Sequence, residues 1–526
     1  MRNVVAGAAA AAVALGTLTG PLAPRVADAA GLPHRIDWKP CPDPDPVEKG
    51  RLKGLECGTL AVPLDHDRPQ GETITLALSR ARHTAKKFQG VVLLNRGGPG
   101  AHGRDMPGTF VEGLPKKVAA AYDWIGLDPR GVGASQPAMV CDESYQNPGR
   151  PRPDTVPASP AAERAWQARA RAYADDCAAK YGSLLPHMGS ATWARDLEAV
   201  RIALGQRKIN FFGYSYGTYL GAVYATMYPG RVRRMVLDSV VRPSGVWYQN
   251  NLDQNVAFEK RIRAYFAWIA EHHATYKLGR SGKAVAAAYA KARSRLKAKP
   301  AGGRVGPAEL DDLFLSDGYA DYGWPAHARL LSALVVKRDP KPLAKAWHAP
   351  EWLDQNNYAV YNAVQCRDAA WPRAWSRWHR DNWRLYRAGY RFETWGNAWY
   401  NAPCAYWAQR GGPPPRVHGG KVPPLLLVQG TEDAATPYRG AVEMHRRFPG
   451  SRLLVQLGGG NHGVAVNGDR CVDKIVAAYL GAGSLPARKS GPDATCRAAS
   501  PPRPAAAKER RALVREPVDT FPRGTS

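Results

Sequence analysis

Short apolar runs, each followed by a longer stretch that suits a helix, recur along this 526-residue chain. They occupy the segments 90–94, 124–127, 209–212, 235–237, 425–428 and 453–455. Continuous apolar strands separated by helices are typical of a parallel sheet that helices cover on both faces. Before them, the alternating segments 58–66 and 72–82 flank a turn at Arg68-Pro69-Gln70-Gly71, which predicts a β-hairpin. The sequence therefore predicts an α/β fold with a mostly parallel central sheet.

A long interval of different composition separates the fourth and fifth of these runs. Residues 243–420 hold 12 of the 16 tryptophans, and their pattern is mostly helical. An insertion between two strands of one sheet is most simply a lid over the carboxyl edge, where ligands bind in such folds. We predict a helical lid over 243–420, between core segments at 30–242 and 421–496. The tryptophans are expected to fill the core of the lid, with some rings facing the cleft.

The two ends of the chain have compositions that place them outside the fold. Residues 1–29 combine Arg2, an apolar run and the small-residue pattern Ala27-Asp28-Ala29, which predicts a cleaved secretory signal peptide. Residues 497–526 are rich in Pro, Ala and Arg without apolar periodicity, which predicts an unstructured tail. No later run of about 18 apolar residues follows. We therefore expect a secreted, extracellular protein without membrane insertion.

Eight cysteines suit such an oxidising compartment. Eight cysteines allow 105 connectivities, among which sequential pairing closes short loops. A zinc site is the alternative, but the chain has no C-x-x-C motif and no clustered Cys/His spacing. We predict four disulfides, namely Cys41–Cys57, Cys141–Cys177, Cys366–Cys404 and Cys471–Cys496.

A glycine-flanked serine follows the apolar run at 209–212. The segment Gly213-Tyr214-Ser215-Tyr216-Gly217 matches the G-x-S-x-G pattern, and a helix-compatible segment comes after it. A strand-to-helix turn of this kind presents the serine hydroxyl at a helix N-terminus, where the dipole favours developing negative charge. We predict that Ser215 is the nucleophile of a serine hydrolase.

A nucleophilic serine needs a base and an acid that orients the base. In this fold the three follow in the order Ser, Asp, His. Asp433 comes after the run at 425–428, and His462 comes after the run at 453–455. Both therefore lie at carboxyl ends of strands. We predict a triad of Ser215, His462 and Asp433, whose chemistry needs no metal or cofactor, and we expect neither.

Other side chains compete for the roles of acid and base. Asp238 ends the strand after the serine, where some hydrolases of this fold place their acid, and it is the main competitor. Glu432 is adjacent to Asp433 and would point elsewhere. His102 follows a glycine-rich turn and precedes Ser215, so we expect it to line the site.

Acyl transfer also needs hydrogen-bond donors for the oxyanion. The segment 95–100, with the sequence NRGGPG, follows the run at 90–94 in the position of the second oxyanion loop. Its glycines allow a backbone N–H to approach the tetrahedral oxygen. We predict donors at Gly98, with Gly97 as the alternative, and at Tyr216.

Taken together, these motifs resemble the secreted α/β-hydrolase tripeptidyl aminopeptidases, which are related to the prolyl aminopeptidases. The resemblance covers residues 57–496 and rests on the segments 97–100, 128–135, 213–218, 430–433 and 458–463. It implies a serine exopeptidase that releases tripeptides from peptides with free N-termini. Arg96 stands where the prolyl relatives have a histidine, which favours the tripeptidyl branch.

The resemblance also implies a carboxylate in the lid that holds the substrate's ammonium group. Asp368 is the first candidate, because a disulfide at the nearby Cys366 would make it rigid. Glu351, Asp354 and Glu393 are the alternatives.

Two other functions compete with the peptidase. An esterase or amidase acting on a small metabolite would use the same triad. A polyanion-binding protein would use the net charge of +28, which comes from 73 Lys and Arg against 45 Asp and Glu. The chain shows no nucleic-acid module, in which basic charge is concentrated on one motif with interleaved aromatic residues, and the densest basic run, 277–304, is typical of an exposed helix. We therefore expect peptide substrates, no nucleic-acid partner, and a loose attraction to an anionic cell wall.

Overall fold

The computed structural model describes residues 35–45 and 47–504. The predicted signal peptide and residues 505–526 of the predicted tail lie outside these ranges. The strands are β1 (Lys39–Pro40), β2 (Glu56–Pro63), β3 (Thr73–Ala81), β4 (Val91–Asn95), β5 (Asp123–Asp128), β6 (Ile209–Tyr214), β7 (Val232–Asp238), β8 (Leu426–Gly430), β9 (Arg452–Leu457) and β10 (Ala494–Arg497). The helices are α1 (Met106–Gly113), α2 (Lys116–Ala119), α3 (Pro160–Tyr181), α4 (Ser190–Ala203), α5 (Tyr216–Met227), α6 (Tyr248–Glu271), α7 (His273–Tyr276), α8 (Gly282–Ala298), α9 (Pro307–Tyr319), α10 (Trp324–Val335), α11 (Lys341–Ala346), α12 (Trp352–Asp368), α13 (Trp375–Arg387), α14 (Thr394–Asn401), α15 (Pro403–Tyr406), α16 (Arg439–Arg447) and α17 (Arg470–Ala482).

All ten strands join one sheet, in the order β1-β2-β3-β5-β4-β6-β7-β8-β9-β10. The pairs β1–β2, β2–β3 and β3–β5 are antiparallel. In the rest of the sheet, from β5 through β4 to β10, every neighbouring pair is parallel. The predicted hairpin is β2 and β3, and the six apolar runs are β4 to β9. The prediction of a mostly parallel α/β sheet is therefore confirmed.

The strands of the central sheet are buried on both faces. Val92 and Leu94 of β4 join a cluster with Phe110 of α1 and Val476 of α17, whereas Leu93 between them joins the cluster of α4 and α5. Because successive side chains of a strand point to opposite faces, an unbroken apolar run serves both layers of helices. The carboxyl edge of this sheet carries the candidate site.

Ten of the helices described here, α6 to α15, lie between β7 and β8, within the interval predicted as a lid. Helices α6 to α11 bury an apolar cluster of their own, which includes Trp268 and Trp324. Most tryptophans of the interval are thus core residues. Trp347 and Trp399 also line a large cavity, as expected for some of the rings.

The four predicted disulfides are all present, and no cysteine is free. Sequential pairing is therefore confirmed. Each bridge closes a segment of 16 to 38 residues.

The structure differs from the sequence-based expectation at the predicted tail. Arg497 belongs to the edge strand β10, which pairs with β9, and Ala498 N donates to Leu457 O at 3.0 Å. Further on, the Trp268 indole donates to Pro502 O at 3.0 Å. Backbone pairing with a sheet edge fixed this short segment, although its sequence has no apolar periodicity. None of the helices in the described ranges combines the length and apolar character that a membrane crossing requires.

Candidate active site

Ser215 lies at the sharp turn between β6 and α5. Its backbone has φ 55° and ψ −126°, a left-handed conformation that residues with a side chain rarely adopt. The turn is fixed from both sides, since Ser215 N donates to Asp238 O at 3.0 Å and the Thr218 hydroxyl donates to Ser215 O at 2.6 Å. The hydroxyl of Ser215 is thereby held at the N-terminus of a 12-residue helix.

The glycines on either side of this serine are required by space. A Cβ on Gly213 would lie 2.5 Å from Gly217 O, and a Cβ on Gly217 would lie 2.8 Å from Asn95 O. Such distances are shorter than any real Cβ contact. The G-x-S-x-G pattern therefore reflects the close approach of β6, α5 and the end of β4.

The acid and base predicted from the sequence are brought together. Nδ1 of His462 lies 2.9 Å from Oδ2 and 3.1 Å from Oδ1 of Asp433, and both side chains are buried. The carboxylate of Asp433 also accepts hydrogen bonds from the backbone N–H groups of Ala435 and Thr436 and from the Thr436 hydroxyl. Burial acts to raise the pKa of Asp433, but His462 and these donors outweigh it and lower that pKa below its ordinary value. Asp433 is therefore ionised, as an acid that orients a histidine must be.

Asp238, the competing acid, supports the loop that carries the histidine. Its Oδ2 accepts hydrogen bonds from the backbone N–H groups of Val464 and Ala465 at 2.9 and 2.6 Å. The neighbouring Ser239 hydroxyl accepts from Gly463 N at 2.7 Å. Because Asp238 O also holds Ser215 N, the end of β7 ties the serine turn to the histidine loop.

The glycine-rich loop after β4 lies directly against the serine turn. A Cβ on Gly97 would lie 2.9 Å from Ser215 Cβ and 3.1 Å from Tyr216 N, and the φ of Gly97 is 106°. Gly98 follows with φ 103°. The backbone at Gly97 and the N–H of Tyr216 thus lie together beside Ser215, where an oxyanion hole is expected, and Gly98 is the next residue of the loop.

His102 lies apart from Asp433, in a buried cluster of charges beside this loop. Its Nε2 is 3.4 Å from Glu48 Oε2 and 3.8 Å from Asp105 Oδ2, while Arg96 pairs with Asp105. Burial, together with the charges of Asp128 and Asp105, raises the pKa of Glu48 to about 8. Arg96, which departs from the prolyl pattern, therefore anchors the glycine-rich loop to Asp105.

A large cavity adjoins the histidine. It contains about 1440 Å³ of space outside protein atoms, part of it open to solvent. Tyr319 connects the cavity to the triad, because Tyr319 O accepts a hydrogen bond from His462 N at 2.8 Å and its ring lies edge-on to the imidazole. The walls of the cavity are largely aromatic and include Trp166, Phe258, Tyr319, Trp347, Trp399 and Tyr400.

One part of the cavity wall is acidic. Asp311, Asp312 and Glu393 all line the cavity, where Arg152 pairs with Asp312. Burial raises the pKa of Glu393 well above its ordinary value, and the charges of Asp311 and Asp312 raise it further. Burial likewise raises the pKa of Asp311 to about 6, against the attraction of Arg293. A bound cation would relieve this repulsion, so this wall is suited to an ammonium group.

Asp368, predicted as the ammonium-binding residue, is placed elsewhere. Its carboxylate accepts hydrogen bonds from Ser190 N and the Ser190 hydroxyl at 2.6 and 2.5 Å, and from the Trp247 indole at 3.2 Å. It is 5% exposed and does not line the cavity, and burial raises its pKa to about 6. The prediction for Asp368 is corrected: this carboxylate joins α12 to α4 inside the protein.

The three alternatives to Asp368 differ in position. Glu351 is exposed and pairs with Lys49 at 2.9 Å, which excludes it from the cavity wall. Asp354 lines the cavity but accepts a hydrogen bond from the backbone N–H of Glu351 at the start of α12. Glu393 is the alternative that is both buried and part of the cavity wall.

Comparison with known proteins also identifies the fold as that of the α/β-hydrolases. Residues 90–297 match the family model described as alpha/beta hydrolase fold, and residues 390–496 match the model described as TAP-like protein. A tripeptidyl aminopeptidase of Streptomyces coelicolor is 44% identical over 483 residues, which are 89% of this chain and 87% of the relative. The chain belongs to the tripeptidyl aminopeptidase family of α/β-hydrolases.

More distant relatives extend the comparison beyond that group. The serine protease Hip1 of Mycobacterium tuberculosis is 32% identical and is matched over 86% of this chain and 90% of its own length. Carboxylesterase B of the same organism is 30% identical, over 84% of this chain and 86% of its own length. As a member of the tripeptidyl aminopeptidase family with the α/β-hydrolase fold, the chain is a serine hydrolase, as predicted.

Sequence reasoning missed the part that Asp311, Asp312 and Tyr319 play in the cavity. One signal was available for Asp311, which lies three residues from both Ala308 and Phe314 and so shares the face of α9 that carries these buried residues. An acid on the apolar face of a helix points to a buried role. Tyr319 and Glu393 carry no comparable local signal.

Proposed function

We propose that this protein is a serine exopeptidase that releases tripeptides from peptides with a free N-terminus. Ser215 Oγ attacks the scissile carbonyl, and Nε2 of His462 takes the hydroxyl proton and passes it to the leaving amine. Asp433 holds the imidazole through Nδ1. Water then hydrolyses the acyl-enzyme by the same proton route, which regenerates Ser215.

The oxyanion is stabilised by backbone donors on both sides of Ser215. We assign the N–H of Tyr216 and the N–H of Gly98, with Gly97 as the alternative for the second donor. This assignment is supported by the contact between the Gly97 backbone and the serine turn and by the position of Tyr216 at the start of α5.

The preference for a free N-terminus is assigned to the acidic wall of the cavity. In this assignment, Glu393 binds the ammonium group of the substrate, and the aromatic walls of the cavity hold the first residues of the peptide. Support comes from Glu393, which is 9% exposed and stands beside Asp311 and Asp312 in a cavity that reaches the histidine through Tyr319. The names of the relatives in Streptomyces and of Hip1 agree with peptide substrates.

An assay with matched substrates tests this proposal. We expect the wild type to release a fluorogenic amine from tripeptide amides with a free N-terminus and to lose most activity after N-terminal acetylation. Ser215→Ala should abolish hydrolysis. Equal rates on free and acetylated substrates would contradict the exopeptidase proposal, as would equally poor hydrolysis by wild type and Ser215→Ala.

An esterase is the second candidate, favoured by the relative named Carboxylesterase B. Such an enzyme would use the same triad but would not need an acidic wall. Hydrolysis of small neutral esters much faster than any tripeptide amide, with no effect of Glu393→Gln, would favour it.

Location and domain roles are part of the same proposal. The described residues hold four disulfides, which fit an oxidising compartment. We propose export through cleavage near Ala29, with 243–420 acting as the lid of a core formed by 30–242 and 421–496. The charge of +28 supports a loose association with an anionic cell wall. N-terminal sequencing of the exported protein and its release from cells by salt test these points.

A further inference from the structure

The loop that carries the catalytic histidine is held by the inserted helices as well as by the sheet. Its residue Asn461 lies between α6 and the segment that follows α9. Asp321 N donates to Asn461 Oδ1 at 3.0 Å, and Asn461 Nδ2 donates to Asp321 Oδ1 at 3.1 Å. A reciprocal pair of this kind fixes both the distance and the orientation of two segments that are 140 residues apart in sequence.

Arg261 of α6 completes this contact. Its Nη2 donates to Asn461 Oδ1 at 3.3 Å and lies 3.7 Å from Asp321 Oδ2. The guanidinium is 8% exposed and packs over the Trp324 ring at 4.6 Å from the centroid. A Cβ on Gly460 would lie 2.4 Å from Arg261 Cζ, so a larger residue next to Asn461 would displace the guanidinium. We call Arg261, Asp321 and Asn461 the clasp.

The clasp is adjacent to both the base and the cavity. His462 follows Asn461 directly, and its backbone N–H donates to Tyr319 O, two residues before Asp321. The side chain of Tyr319 lines the cavity and stacks edge-on against the imidazole at 5.6 Å between centroids. The same short segment therefore contacts the cavity, the backbone of His462 and its ring.

Asp433 fixes only one end of this imidazole. Its carboxylate holds Nδ1, while the position of Nε2 also depends on where the backbone of His462 stands. Small displacements of a catalytic group reduce rates strongly, since a misplacement of 1 Å can lower a rate by about 100-fold. The contacts of Tyr319 and the clasp with residues 461 and 462, together with those of Asp238 and Ser239 with residues 463–465, limit that displacement.

We infer that Asp321 and Asn461 are positioning residues, which hold Nε2 of His462 in line with Ser215 and make the alignment depend on the inserted helices. This inference rests on the proposed triad. It adds a requirement that the triad alone does not have: the catalytic base is correctly placed only while the segment 319–321 is docked on the histidine loop.

Two rates measure the alignment independently of where the peptide binds. The first is kcat for a tripeptide amide, and the second is the rate at which a small fluorophosphonate labels Ser215, which requires the base but no peptide. For Asn461→Ala we expect both rates to fall on the order of tenfold or more, with KM within about twofold. Asp321→Ala, the second variant in case the first is unstable, should behave in the same way.

A swap and a control separate positioning from general damage to the fold. The double variant Asp321→Asn/Asn461→Asp can restore the pair with its partners exchanged, so we expect it to recover most of both rates. Asn382→Ala, which removes a buried asparagine of α13 that bonds to Trp378 O, should leave both rates unchanged. Melting temperatures are measured for every variant.

The inference would be overturned if folded Asn461→Ala and Asp321→Ala kept both rates, or raised KM alone. Loss of the two rates without recovery in the swapped variant would also overturn it. Failure of the proposed triad differs, because wild type would then not be labelled on Ser215 or His462→Ala would be labelled at the same rate.

Discussion

Replacement of Glu393 by glutamine tests how the substrate's free N-terminus is recognised. The change Glu393→Gln keeps the size of the side chain and its hydrogen-bonding capacity but removes its charge. Because Glu393 lies in the acidic wall, we expect weaker binding of an ammonium group and little effect on the chemical step at Ser215.

The magnitude follows from the burial of the site. Loss of one partner of a buried, hydrogen-bonded charge pair costs about 2–5 kcal/mol. Asp311 and Asp312 remain beside the site and preserve part of the negative potential. We therefore expect a loss of binding free energy in the lower half of this range, about 2–3 kcal/mol. At 1.4 kcal/mol for each factor of ten, this is a decrease of about 30- to 150-fold in kcat/KM, mainly through KM.

The assay compares tripeptide amides with free and acetylated N-termini. The decrease should appear only with the free substrate, since the acetylated one has no ammonium group to lose. Glu351→Gln is the matched control, because it removes a lid carboxylate that is exposed and paired with Lys49. Equal effects of Glu393→Gln on both substrates, or no effect on the free substrate, would refute the assignment of the ammonium site.

Three further predictions concern the triad, the pH dependence and a disulfide. Asp433→Asn should lower kcat by about 10⁴-fold with little change in KM, because an amide holds the wrong tautomer of His462; steady-state kinetics measure this. The pH profile of kcat/KM on a free tripeptide amide should be bell-shaped. The value of kcat/KM should rise with pH as Glu393, whose pKa is raised by burial, loses its proton and can bind a cation. It should fall near pH 8, because the substrate's α-amino group, with a pKa of about 7.7–8.0, becomes neutral. The acetylated substrate should lack the alkaline decline. Replacement of Cys366 and Cys404 by alanine should reduce the free energy of unfolding by about 4 kcal/mol in denaturant titrations, since the bridge closes a segment of 38 residues.

The elements that the sequence predicts well are those with a local physical signature. The run at 209–212 became β6, and the serine turn after it requires glycine on both sides of the nucleophile. Strands β1 and β10 were missed, because two to four residues at a sheet edge carry too short a pattern to detect. Pairing with β2 and β9 made them strands.

The sequence did not show which acidic residue of the inserted helices lines the cavity. Asp368 is the last residue of the 17-residue helix α12, Glu393 directly precedes the eight-residue helix α14, and the disulfide at Cys366 made Asp368 attractive. The structure turns Asp368 toward Ser190 and Trp247 and places Glu393 in the cavity wall. Which face of a helix meets the core and which meets the cleft depends on how α12 and α14 pack, and no local pattern encodes that.

The sequence by itself therefore determined the parallel strands β4 to β9, the serine turn and the order of Ser215, Asp433 and His462. These follow from periodicity, from turn chemistry and from the rule that strand ends share one edge of a parallel sheet. Only the tertiary structure decided that Glu393 lines the cavity, that Asp238 supports the histidine loop, and that Asp321 and Asn461 meet. Such contacts join segments from about 80 to more than 200 residues apart, so they are set by the packing of whole helices and are invisible to any local pattern.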